Sequence, residues 1–345
     1  VDLFFIVCDL KNVLNIFDVA ILHGLKIAMT STSLFKKYGY KIKVSVCFVL
    51  LFAASISTVA AQKDFFESSP TYNSSRVRSV VIGETIVSAA VSVGLNYLWY
   101  KKFPHSRFHL FNDNNEWLQM DKFGHATTAY NLAALQNGLL NWGGVKPGEA
   151  AAIGTLTSLG LMTLIEIMDG HSEAWGFSKG DMLANITGCL LFEGQQLMWG
   201  QQRMGLKYSY HGSIFARYHP EELGDNLPQR MLKDYNGQTY WFSVNIGSFL
   251  PGNTDFPKWL NLTAGYGAEG MISAVNNPAQ VDGKDVPDFE RYRQFYFSFD
   301  TDLYRIDNAS PFAKTILTLN RTFKMPAPTL EWNKKNKLKF HALYY

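Results

Sequence analysis

From Val80 the chain keeps two rhythms in turn. Four stretches, about Val80–Tyr100, Lys122–Trp142, Gly148–Asp169 and Gly180–Gln202, place apolar residues at helical spacing and are rich in Ala, Gly, Ser and Thr. Small residues let helix backbones approach closely, so the pattern predicts a tight bundle of about four helices. The best apolar run, AAAIGTLTSLGLMTLI from Ala150 to Ile165, still carries hydroxyl side chains. Glu84 interrupts the first stretch, and Asn131, Gln136 and Asn137 the second. The pattern therefore predicts a bundle buried in itself or only partly in lipid, and not four clean membrane spans.

From Thr239 the period becomes two. Tyr240, Phe242, Val244 and Ile246 alternate with Trp241, Ser243, Asn245 and Gly247, and Leu260, Leu262, Ala264 and Tyr266 alternate with Asn261, Thr263, Gly265 and Gly267. Phe295, Phe297 and Phe299 alternate with Gln294, Tyr296 and Ser298, and the segment KLKFHALYY puts Leu338, Phe340, Ala342 and Tyr344 on one face. Strict alternation predicts four strands, each with one apolar face. Long aromatic strands of this kind look like outer-membrane strands, yet four cannot close a barrel, which takes at least eight. The region is either a sheet packed on the helices or a barrel-like wall completed by partners or further strands. Between the last two strands, Ser310 to Phe323 predicts an amphipathic helix with Phe312, Ile316, Leu319 and Phe323 on one side. The expected fold class is α+β: a small-residue-rich helical bundle followed by an antiparallel, outer-membrane-like β region.

The segments order as follows. Residues 29–61 read as a signal peptide: Lys36, Lys37, Lys41 and Lys43 precede the uncharged run from Val44 to Gln62, and Val59 and Ala61 suit the peptidase. Residues 1–28 then read as upstream translation, with a first membrane helix as the rival. A polar linker covers 62–78, the bundle 79–205, a connector 206–238, and the β region with its one helix 239–345. Cys8 and Cys47 fall in the leading segments, which leaves Cys189 as inert packing and excludes a disulfide scaffold. Cys47 has no lipobox before it. The 345 residues are 47% hydrophobic and 14% aromatic but only 18% charged, with a net charge of +3. The interleaved cations and aromatics of a nucleic-acid binder are missing, so no nucleic-acid partner is expected. Export points to a membrane lipid or an envelope protein as partner and leaves a homo-oligomer open.

Chemistry concentrates in MDKFGHATTAY, from Met120 to Tyr130. Asp121 and His125 are four apart and share a helix face, where the carboxylate can hold the imidazole, and Lys122 adds a cation. Glu166 and Asp169 end the third helix, His171 and Glu173 follow in the loop, and Asp181 and Asn185 open the fourth. Ser178 and Asp181 have capping-box spacing. Two plain roles compete with chemistry: helix capping for Asp121 and Asp181, and a register-fixing polar network for His125 and Glu166. His125, Glu166, Asp169, His171 and Asp181 could supply metal ligands, but no tight metal signature is present; neither a metal nor a cofactor is expected. A nucleophile elbow is absent too.

The run DKFGH, the Glu at the end of an apolar helix, and FSKGDMLANITG resemble two bacterial families. One is the YfiM-like family of uncharacterised envelope proteins. The other is the VanZ-like membrane family, with its D-K-x-x-H, E and D-x-x-x-N-x-x-G pattern. The likeness covers roughly residues 115–200, and LKDYNGQTYW, Leu232 to Trp241, looks like what large YfiM-like proteins place before a β region. It implies that Asp121, Lys122, His125, Glu166, Asp181, Asn185 and Gly188 form one polar cluster, and it brings no reaction with it. The long aromatic β region lies outside it.

The first functional expectation is a non-enzymatic structural or binding protein of the cell envelope that engages lipid, glycan or an envelope partner. The outer membrane is the preferred location, with the inner membrane or periplasm as the alternative. The second expectation is a membrane-embedded hydrolase acting on a lipid or amphiphile, with Asp121, Lys122, His125, Glu166 and Asp181 as its catalytic candidates and Asn185, Asp169 and His171 in binding.

Overall fold

The computed structural model describes residues 66–98, 103–251, 254–306 and 310–345. The expected signal peptide and the leading 1–28 lie outside the described residues. The chain divides into two compact units, Val1–Pro104 with Leu139–Lys146, and His105–Gly138 with Pro147–Tyr345. In the first unit, helix α1 (Ser74–Leu98) begins six residues ahead of the predicted Val80. Asn73 accepts from the Arg76 amide at 3.1 Å, and the Arg76 guanidinium lies 4.7 Å over the Trp142 ring.

The second unit holds the remaining elements, except that the last turn of the next long helix, from Leu139, belongs to the first. A two-residue strand β1 (Leu110–Phe111) leads to α2 (Met120–Trp142) and α3 (Pro147–Asp169), and β2 (Phe177–Ser178), parallel to β1, leads into α4 (Lys179–Trp199). Strand β3 (Met204–Tyr210) follows, then the short helices α5 (Pro220–Leu223) and α6 (Leu227–Lys233). Next come β4 (Gln238–Asn245), β5 (Leu260–Glu269), a small hairpin of β6 (Gln280–Val281) and β7 (Lys284–Asp285), and β8 (Tyr292–Thr301). Helix α7 (Pro311–Leu319), β9 (Ala327–Asn333) and β10 (Lys337–Tyr344) end the chain. Seven α-helices among the described residues precede or flank an antiparallel six-stranded sheet in the order β10-β9-β8-β5-β4-β3, an α+β fold.

Small residues set the helix spacing. A Cβ on Gly188 would stand 2.1 Å from the Ala126 carbonyl oxygen, and one on Gly154 2.8 Å from that of Ala133. Thus α4 and α3 each touch the α2 backbone. The stripe Ala150, Ala151, Gly154, Ser158, Met162 and Glu166 is the buried side of α3. By length and composition alone, Ser74–Asn96 and Pro147–Asp169 could cross a membrane.

Besides the two-residue strands, two strands of the six-stranded sheet escape the sequence reading. β9, APTLEWN, carries a proline and three polar residues and reads as loop; β3, MGLKYSY, has a lysine in its middle. The reason lies in the sheet's sidedness, which inverts the usual rule. Along β8, Gln294, Tyr296, Ser298 and Asp300 are buried, while Phe295, Phe297 and Phe299 are exposed. Along β9, Thr329, Glu331 and Asn333 are buried, while Leu330 and Trp332 are exposed. The sheet rolls around its polar face. Tyr344 of β10 stacks on Tyr296 of β8 at 4.7 Å and meets Thr239 of β4 at 3.1 Å.

Charged groups enclosed by the sheet are met by polar partners, as burial demands. Lys207 Nζ lies 2.6 Å from Asp300 Oδ2, which also accepts from Ser243 at 3.0 Å. Glu331 accepts from Gln294 at 2.9 Å and contacts the His341 ring nitrogen at 2.6 Å. On the outer, apolar face the helices cover one part of the sheet. Met120 packs with Tyr240, Tyr266 and Ala268, and Phe123 stacks on Tyr266 at 4.4 Å. The outer face of β8, β9 and β10 stays open, with Phe297 and Trp332 each 60% exposed and Leu338 67% exposed.

Candidate functional site

The candidate site is built where α2 starts. Three residues before it, Trp117, Leu118 and Gln119, have φ of 47°, 51° and 66°, a left-handed turn that side chains resist. Neighbours hold it. The Trp117 amide donates to the Ala274 carbonyl at 2.7 Å, the Tyr266 hydroxyl donates to the Leu118 carbonyl, and Arg293 donates to the Gln119 side chain at 2.6 Å. This turn sets Asp113, in the loop before it, beside the first turn of α2.

Lys122 is the hub. Its ammonium lies 2.7 Å from Asp113 Oδ1, 2.8 Å from Asp181 Oδ1 and 3.8 Å from Asp121 Oδ2. Asp113 and Asp181 thus share one ammonium. His125 sits one turn on: Nδ1 is 3.1 Å from Asn185 Oδ1 and 3.5 Å from Glu166 Oε1, and Nε2 is 3.8 Å from Asp121 Oδ1. Tyr235 donates to Asp121 Oδ1 at 2.5 Å. Ser178 caps α4 by accepting from the Asp181 amide at 3.0 Å, donates to Asp113 at 2.6 Å, and sends its own amide to Glu166 Oε2 at 3.0 Å. The capping reading is thus right for Ser178. The Asp181 side chain turns to Lys122 and Asp113.

Of the sequence candidates, Asp121, Lys122, His125, Glu166, Asp181 and Asn185 converge, and Gly188 permits it by letting α4 close on α2. The charge of Asp169 is felt by Glu166, whereas His171 stands apart. His171 is exposed and packs edge-on against Phe108 at 5.6 Å. Asp113 and Tyr235 are members that the sequence reading passes over. Asp113 lies in the polar run FNDNNEW, which reads as plain loop, and Tyr235 stands 114 residues from Asp121.

Four carboxyls face two cations, and burial decides who keeps a proton. Burial pushes Glu166 up to about 7, with His125 pulling the other way. Burial, helped by the charge of Asp121, lifts Asp181 to about 8. Against the cost of its own burial, Asp113 is held low by hydrogen bonds from Asp181, Lys122 and Ser178. Burial would lower His125, but the charges of Asp121, Asp181 and Glu166 outweigh it and raise the imidazole above its ordinary value. Burial would lower Lys122 too, but Asp121, Asp181 and Asp113 outweigh it and raise the ammonium. Near neutral pH Asp113 and Lys122 therefore keep their charges, while Glu166 and Asp181 titrate in that range.

One ligand atom from each of Asp121, His125 and Asp181 lies within 4.8 Å of the others, near enough to hold one ion. Lys122 already supplies positive charge at that point. A protonated imidazole can donate a proton but cannot accept one, and the nearby hydroxyls are engaged: Ser178 with Asp113, Tyr235 with Asp121.

Residues 109–193 match the family model described as a predicted periplasmic lipoprotein (DUF2279). The matched segment runs from β1 into α4 and holds every charged member of the cluster; Tyr235 and the six-stranded sheet lie beyond it. No curated protein and no solved structure matches the chain. The description fits an exported envelope protein of unknown function. It includes a lipid anchor, and the chain's Cys47 lies outside the described residues.

Proposed function

We propose that this is a non-enzymatic envelope protein that rests the outer face of β8–β10 on a lipid bilayer, the outer membrane by preference, with the polar cluster as the lock that holds its helices, loop and connector in place. The inverted sheet carries this reading. Seven large apolar side chains, Phe295, Phe297, Phe299, Leu330, Trp332, Leu338 and Phe340, point out of a sheet whose inside is polar. Water is a costly neighbour for such a surface, and contiguous exposed apolar patches mark membrane or partner contact. Six strands with β10 unpaired on one side suit a sheet lying on or partly in lipid. Open edges do not occur in a bilayer core, and closed barrels start at eight strands. The periplasmic description of the matched family supports a membrane approached from that side, and the D-K-x-x-H set keeps the likeness to YfiM-like and VanZ-like proteins as part of the reading.

Fractionation of envelopes into inner and outer membranes tests it, with gel mobility before and after heating as a second readout. The proposal expects outer-membrane recovery and little heat-modifiability. Recovery in the inner membrane overturns the preferred location, and recovery in the soluble periplasmic fraction overturns the lipid contact.

One observation favours the hydrolase as a second reading: Asp121 is 27% exposed in its side chain and His125 16%, while Glu166 behind them is 1% exposed. A fluorogenic ester or phospholipid assay on the purified chain tests it. Turnover abolished in Asp121→Asn would establish it, and no turnover above buffer would remove it.

A further inference from the structure

Four lysines crowd the hairpin that joins β9 to β10, in the run NKKNKLKF from Asn333 to Phe340. Lys334, Lys335, Lys337 and Lys339 are all exposed, and they stand beside three well-exposed apolar side chains of the sheet, Trp332, Leu338 and Phe340. Lys334 pairs with Glu290 at 2.9 Å, and Lys335 lies 5.7 Å over the Tyr292 ring. Two carboxylates of the sheet near this end are already engaged: Glu331 is buried and taken by His341, Gln294 and Asn333, and Glu269 is held by Tyr292 and Gln294. Positive charge at this tip is therefore largely uncompensated.

Apolar side chains on one face and lysines at the tip and on the opposite face divide as a membrane surface divides. Long lysine stems reach toward headgroups while their neighbours enter the acyl region. The same lysines argue against a second copy adding to the free β10 edge, because charges along an edge strand oppose strand pairing. We infer that the β9–β10 hairpin is a docking element for an anionic phospholipid surface, with Trp332, Leu338 and Phe340 in the lipid and Lys335, Lys337 and Lys339 on the headgroups. This rests on the lipid-facing reading of the sheet and adds to it a headgroup chemistry and a place.

Three lysines near an anionic surface give about a hundredfold tighter association than with a neutral one, lost within a short screening length as salt rises. The test uses the full chain carrying Phe340→Cys, labelled with an environment-sensitive dye, and vesicles of phosphatidylcholine alone or mixed with phosphatidylglycerol. A label at Leu338→Cys repeats the measurement, so that one misfolded variant does not decide it. The inference expects a blue shift at about a hundredfold lower lipid with phosphatidylglycerol, abolished by high salt and by Lys335→Gln, Lys337→Gln and Lys339→Gln together. Equal titrations on both vesicles overturn the headgroup assignment and leave the lipid-facing sheet standing. No shift on either overturns both. A shift that grows with protein concentration in the absence of vesicles assigns the hairpin to self-association and overturns the inference as well.

Discussion

At the residue scale, His125 separates a lock from a catalyst. Its ring is shared among Asn185, Glu166 and Asp121. Removing it leaves Glu166, buried behind it, without its cationic neighbour, and breaking a buried charge pair costs about 3–5 kcal/mol. We expect His125→Ala to lower the urea midpoint by an amount in that range. A variant with unchanged stability and abolished turnover would favour the hydrolase. The protons of the cluster add a pH signature. Asp181, lifted to about 8, binds a proton in the folded chain that the unfolded chain releases near 3.8, so its contribution to stability falls as pH rises through that window. Glu166, lifted to about 7, acts in the same direction from 4.5 upward. His125, raised above 6.5, contributes stability below that value and loses it as pH climbs past its folded pKa. Asp113, held low, works oppositely and only in acid, where its contribution is lost as pH falls. The melting temperature should therefore peak in mild acid and decline through neutrality. Asp181→Asn, which can still donate to Asp113, should flatten part of the decline; an unchanged slope would mean that Asp181 is ionised in the fold.

At the element scale, helix packing depends on absent side chains. Gly188 has no room for a Cβ, since the Ala126 carbonyl oxygen would lie 2.1 Å away. Gly188→Ala should push α4 off α2 and cost about 1–3 kcal/mol, as overpacking does. It should also loosen His125 from Asn185, one turn back on α4. The control is Gly138→Ala on the exposed side of α2, where nothing lies within 4 Å and helix propensity should make the change neutral or mildly favourable. The helices were legible because small residues and Ser178 mark them: α2, α3 and α4 begin within two residues of their predicted starts. Four strands were legible from their alternation. β3 and β9 were not, because Lys207, Glu331 and Asn333 occupy the buried face, where the common rule expects apolar residues. The meeting of Asp121, His125, Glu166 and Asp181 could be read from their places at helix ends and from a family likeness. Asp113 and Tyr235 could not, for nothing local marks a residue brought in by a left-handed turn or by a distant connector.

At the scale of the whole molecule, the sheet asks what lies against its outside. If that is water, replacing exposed side chains by serine is nearly neutral, since substitutions away from the core stay within about 0.5 kcal/mol. If that is lipid, each change forfeits transfer energy. Burying a large apolar side chain contributes about 1.5–3 kcal/mol, and side chains left more than half exposed by the fold, such as Phe297, Trp332 and Phe340, should recover about half of it in a bilayer. Together Phe297→Ser, Trp332→Ser and Phe340→Ser should weaken sheet–vesicle contact by about 3–4 kcal/mol, between one hundred- and one thousandfold. The fold should survive, because the inside of the sheet keeps its Lys207–Asp300 and Glu331–His341 pairs. Quenching of a dye at Leu338→Cys by brominated acyl chains reads this contact alone, whatever α1 does in the membrane. Strong quenching in the parent and its loss in the triple variant, with an unchanged melting temperature, places lipid against the sheet. Quenching absent from both would assign the open face to an envelope protein partner, since a surface this apolar does not stay bare.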